Sequence, residues 1–158
     1  KEYLQVEKDL IYPHQYRTYY NLSLIEEKQR NYSQMIQYLN KSKSERDDYC
    51  PTHLKLGQFY LKNQNYAQAI KSFKSGSKGT CYKYPNSTFY LAETWEKLAE
   101  NQKAIDKYIE IVSTFPTSTF AKLAQKRIDI LVKDDPMLDL RLKKHNTSPE
   151  ENLEAAKF

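Results

Sequence analysis

Residues 67–73, AQAIKSF, return as QKAIDKY at 102–108, which sets Ala69 over Ala104 at a spacing of 35. In the other direction, YSQMIQYL at 32–39 lines up with YAQAIKSF at 66–73, and Met35 stands over Ala69 at a spacing of 34. A recurring period of this size constrains a fold more than any single motif does. Each period is one supersecondary unit unable to bury its apolar face alone, so neighbouring units must stack.

The upstream half of each period agrees. Leu22-Ser23, Leu56-Gly57 and Leu91-Ala92 are leucine-small pairs in one register, and Tyr60 and Trp95 follow three residues after the small one. The apolar residues step in threes and fours rather than alternating, and glycine is confined to three positions, so helices are expected over strands. Each unit therefore reads as two antiparallel helices, with the small residue allowing close approach and the aromatic filling the space between them. Pro13, Pro51, Pro85 and Pro116 mark the starts of the upstream helices, because proline lacks only an N–H that a first turn leaves unpaired. The turns YPNS (84–87) and FPTS (115–118) add a serine or threonine able to cap the next helix.

These residues resemble the tetratricopeptide repeat, whose pattern runs W-x2-L-G-x2-Y, then A-x3-F, then P. The middle copy supplies His53, Leu56, Gly57, Tyr60, Ala69 and Phe73, and the third supplies Leu91, Ala92, Trp95, Ala104, Tyr108 and Pro116. The first copy departs more, with Glu26 in the aromatic position and Met35 in that of alanine. The resemblance implies an all-α, right-handed solenoid of about three helix hairpins at about 13–47, 50–81 and 85–116. A capping helix is expected at 117–133, with Leu123 and Ala124 as its leucine-small pair, then an extension at 134–158 holding a short helix near 149–157. A narrower likeness lies in YPNSTFYLAETW and FPTSTFAKLAQKRI, which look like the aromatic-Pro-x-Ser turns of bacterial cell-envelope repeat proteins of the BamD and CpoB type.

Chemistry is sparse. His14, His53 and His145 are far apart and form no metal-ligand spacing, no nucleophile or phosphate-loop motif is present, and neither catalysis nor a cofactor or metal is expected. His53 reads as a substitute for the first aromatic of the repeat. The net charge of +5 is dispersed among alternating lysines and acids, whereas nucleic-acid binding calls for a basic stripe. No apolar run approaches the roughly 18 residues of a membrane span, and the chain starts at Lys1 without a methionine. A trimmed or mature segment is expected, with any signal peptide or lipid anchor lying outside it.

Cys50 opens the middle unit's upstream helix and Cys81 follows its downstream helix. Antiparallel helices bring those ends side by side, so a Cys50–Cys81 disulfide is a candidate and would suit an oxidising compartment. Two ordinary thiols in turns are the alternative. Fourteen tyrosines are unusual for this length. Most are expected between helices with the hydroxyl reaching water, and Tyr16, Tyr19 and Tyr20 form the densest cluster, expected at an exposed edge.

In such a solenoid the upstream helices line a concave groove for a peptide or partner helix. The groove positions are Tyr20 and Leu24, Leu54 and Gln58, Phe89 and Glu93, then Ala121 and Gln125 from the cap. Tyr20 and Leu24 stand where adaptors that clamp a C-terminal carboxylate place lysine and asparagine, so an apolar or mixed segment is the expected partner, with Tyr20, Leu24, Leu54 and Phe89 as anchors. The expected role is a non-catalytic scaffold or assembly factor in the bacterial periplasm or at the outer-membrane periphery; a cytosolic adaptor or regulator is the alternative.

Overall fold

The computed structural model describes residues 14–138. Pro13, His145 and the expected helix near 149–157 lie outside the described residues. Among those described are seven α-helices: α1 (Gln15–Lys28), α2 (Tyr32–Glu45), α3 (Cys50–Lys62), α4 (Tyr66–Ser75), α5 (Pro85–Lys97), α6 (Asn101–Thr114) and α7 (Thr119–Asp134), with one 3-10 turn, Gly79–Cys81, between α4 and α5. Helices α1/α2, α3/α4 and α5/α6 pack as successive hairpins, α7 closes on α6, and α3 lies against α5 as α5 does against α7. The fold is an all-α solenoid of helix hairpins.

The first helix of every hairpin ends in the same way. Arg30, Gln64 and Ala99 adopt left-handed backbone at φ 61°, 58° and 57°, and they recur at spacings of 34 and 35. At each, the amide of the left-handed residue donates three residues back (Arg30 to Glu27, Gln64 to Leu61, Ala99 to Glu96). The next amide donates five back (Asn31 to Glu26, Asn65 to Tyr60, Glu100 to Trp95). This paired arrangement satisfies carbonyls that a helix end would leave unpaired. The chain reverses there, and the second helix starts two residues beyond the left-handed residue.

Packing explains the repeating residues. Gly57 is required because a Cβ there would overlap the ring of Phe73, which is itself fully buried. Ala69 and Phe73 from α4 pack with Leu91 of α5, while Ala104, Tyr108 and Ile111 of α6 pack with Ala121, Ala124, Ile128 and Leu131 of α7. Leu56 is buried against Met35 and Leu39 of α2, and Leu91 against Ala69 and Phe73 of α4, in each case the second helix of the preceding hairpin. Leu123, by contrast, is 41% exposed, and Ala124 and Ala121 face α6 in its stead. His53 is buried and its Nε2 donates to the Asp47 carbonyl, so it takes the aromatic's place and also ties α3 to the preceding loop.

Two local expectations are corrected. Pro85 opens α5 directly, with Tyr84 at its N-cap and Ser87 buried within the first turn, so Ser87 is not a cap. Pro116 lies ahead of α7 rather than in its first turn; there Ser118 is the cap, accepting from the Ala121 amide at 3.0 Å.

Candidate functional site: the face lined by α1, α3, α5 and α7

The sulfurs of Cys50 and Cys81 form a disulfide, with Cα atoms 5.4 Å apart and a sequence separation of 31. It ties the 3-10 turn to the start of α3. Next to it opens a cavity of about 640 Å³, lined by Tyr16 and Arg17 of α1, Arg46, Asp48 and Tyr49 of the α2–α3 loop, Cys50, Pro51 and Leu54 of α3, and Thr80, Lys83, Tyr84 and Asn86 beyond. Three hairpins thus contribute to one cleft.

Its inner wall is rigid. Arg46 Nε donates to Asp48 at 2.7 Å and another guanidinium nitrogen to the Tyr16 hydroxyl at 2.9 Å. The pairing holds the Asp48 carboxyl below the usual range and raises the guanidinium's proton affinity. The Tyr49 ring stands edge-on to Tyr16 at 4.8 Å and to Tyr20 at 5.6 Å; burial pushes the hydroxyls of Tyr49 and Tyr20 up. Beneath, Ser42 Oγ donates to the Tyr16 carbonyl at 2.8 Å, so its contact with Thr52 Oγ1, also 2.8 Å, has Thr52 as donor. These two bonds fix the relative positions of α1, α2 and α3.

The expected groove residues divide among different environments. Leu54 lines the large cleft. Gln58 lines a second cavity of about 250 Å³ with Glu27, Tyr32, Lys55, Phe59, Lys62 and Asn63, bridged by an ion pair from Lys55 to Glu27 at 2.8 Å. Glu93 lines a third of about 300 Å³ with Leu61, Glu96, Lys97 and Arg127, where burial and then the neighbouring Glu96 raise its proton affinity. Tyr20 and Leu24 are half-buried on α1, and Gln125 is exposed on α7, its amide donating to Asp129. Phe89 is not an accessible anchor: it is 6% exposed, with ring centroids 5.4 Å from Tyr108 and 5.3 Å from Phe120. Ala121 is likewise core. Tyr16 and Tyr19 are also buried rather than edge residues, since α2 and the loop before α3 cover them.

Between the last hairpin and α7 sits a polar clasp. Arg127 pairs bidentately with Glu96, and Tyr108 donates its hydroxyl to the same carboxylate at 2.5 Å. Burial first, and then Glu96, push the Tyr108 hydroxyl far above the usual tyrosine range. Arg127 stands where the second aromatic of a repeat would be, four residues after Leu123 as Trp95 is after Leu91.

The cleft-lining Arg17, Arg46, Asp48, Lys83 and Tyr84 were not singled out by the repeat pattern, which marks packing positions. A signal existed: Tyr16, Tyr49 and Tyr84 recur 33 and 35 residues apart, close to the repeat length but outside its motif.

The sequence model of the tetratricopeptide repeat matches residues 16–49 and 51–76. These are the first two hairpins, so this part of the chain consists of tetratricopeptide repeats, and the third hairpin repeats their geometry. No curated protein matches it. Tetratricopeptide repeats are protein–protein interaction modules, and in general they act as scaffolds rather than catalysts. No helix among the described residues is long and apolar enough to cross a membrane.

Proposed function

We propose that this protein is a scaffold or assembly factor of a bacterial cell envelope that docks a peptide or helical segment of a partner along the face formed by α1, α3 and α5. The observation that carries this reading is a cleft of about 640 Å³ lined by half-buried Leu54, with Tyr20 and Leu24 of α1 and Gln58 of α3 half-buried beyond it. Half-buried apolar groups beside a cavity gain most from being covered. The envelope assignment rests on the aromatic-Pro turns and on the Cys50–Cys81 bridge, which suits an oxidising compartment.

Site-specific photo-crosslinking in the native host tests the docking face. A crosslinker at Gln58 should trap a partner, and one at Lys71, exposed on α4, should not; adducts from Lys71 alone would move the interface to the opposite face. For the compartment, alkylation of the protein in intact cells should find both cysteines blocked. Two free thiols would remove the envelope reading.

A further inference from the structure

Charge in the large cleft is unbalanced. Asp48 is the one carboxylate among its lining residues and is consumed by Arg46, which leaves Arg17 on α1 and Lys83 on the far wall. Among the described residues neither forms an ion pair; Arg17 donates to the Tyr16 hydroxyl at 3.1 Å, and the Lys83 ammonium lies 5.2 Å from the Tyr84 ring centroid.

The backbone adds to this excess. Helices α1, α3 and α5 all begin at the cleft, and none has an acidic residue in its first turn or a side-chain hydrogen bond at its N-cap. Helix N-termini carry partial positive charge, which falls off within about one turn and is usually offset by acids placed there. Three helix starts without a first-turn acid, of which only α5 has a side-chain acceptor nearby, Asn86 Oδ1 taking the Ser87 amide, and two cations with no ion-pair partner among the described residues therefore surround a floor made of Tyr16, Tyr49 and Leu54. Charge of one sign on a low-dielectric lining attracts the opposite sign and steers its approach.

We infer that this cleft takes an internal acidic segment of a partner protein, an extended stretch with carboxylate side chains on either side of an apolar one. The carboxylates reach Arg17 on one wall and Lys83 on the other, and the apolar side chain rests against Leu54 and the tyrosine rings. The C-terminal carboxylate of the partner plays no part. This rests on the docking reading above and adds the chemistry of what is docked.

The test uses three acetylated, amidated octapeptides in which leucine alternates with glutamate, glutamine or lysine, measured by fluorescence anisotropy against the whole chain. The glutamate peptide should bind at least about tenfold more tightly than the glutamine one, and its affinity should fall as salt is raised and the Debye length shortens. Arg17→Glu and Lys83→Glu, both at exposed positions, should each weaken it several-fold with an unchanged circular dichroism spectrum. Lys62→Glu, the same charge change in the second cavity, should not. Equal binding of the glutamine peptide, or an equal loss with Lys62→Glu, overturns the acidic-segment inference. If the glutamine peptide then remains sensitive to Leu54→Glu, docking on this face stands without it; binding of none of the three removes both.

Discussion

Gly57 shows how one missing methyl sets the distance between helices. Alanine in its place would gain about 1 kcal/mol of helix propensity, but its Cβ would meet the Phe73 ring, which is fully buried and has nowhere to move. Overpacking of this kind costs about 1–3 kcal/mol. Gly57→Ala is expected to lower stability by up to about 2 kcal/mol in urea titrations; a stabilised variant would mean that the α3–α4 contact yields. The left-handed turn residues behave in the opposite sense. That backbone costs an L-residue about 1–2 kcal/mol, partly offset by the freedom glycine has when unfolded, so Ala99→Gly should raise stability by about 0.5–1 kcal/mol. Tyr108 provides a pH test. Its proton is held more tightly folded than unfolded, so its contribution is complete below the unfolded value of about 10.0 and is lost as pH rises past it. Tyr108→Phe should therefore flatten part of the alkaline loss of stability, as followed by circular dichroism between neutral pH and strong alkali. Gly57 and Tyr108 were legible as repeat residues. Phe89 was misjudged because it occupies the same register position as Leu54, and only the approach of α6 and α7 decides that its ring is covered.

At the level of elements, the disulfide is the strongest single constraint. Closing a loop with a sequence separation of 31 removes unfolded-state entropy worth about 4 kcal/mol. Replacing Cys50 and Cys81 together with serine, or adding reductant, should lower Tm by about 10 °C. The same treatment should loosen the wall carrying Thr80, Lys83 and Tyr84, since the bridge joins their segment to α3; an unchanged Tm would mean that the neighbouring contacts already fix that segment. The pairing was open to inference because antiparallel helices bring those two ends together. The helix-end geometry was not, since residues as different as Arg30, Gln64 and Ala99 serve it, and what recurs is a backbone conformation.

For the molecule as a whole, stability passes between neighbours along the stack. Helix α7 covers Ala104, Tyr108 and Ile111 of α6, and its Arg127 completes the Glu96 clasp. Ending the chain at Thr114 should expose that surface and unfold the third hairpin first, seen as loss of amide protection in α5 and α6 while α1 to α4 stay protected. Uniform loss across all helices would show one cooperative unit instead. The fold was legible because it is written in packing residues repeated at a fixed period. The cleft was not, because it is assembled from loop and helix-start residues of three different hairpins, each unremarkable in its own repeat.

The turns at Arg30, Gln64 and Ala99 bear on how such a chain came to be. Because the backbone enters and leaves each turn in the same conformation, an unequal crossover joining one turn to another would give a product with no new junction to fold. Hairpins can then be gained or lost as whole modules during descent, while the side chains on the inner face diverge.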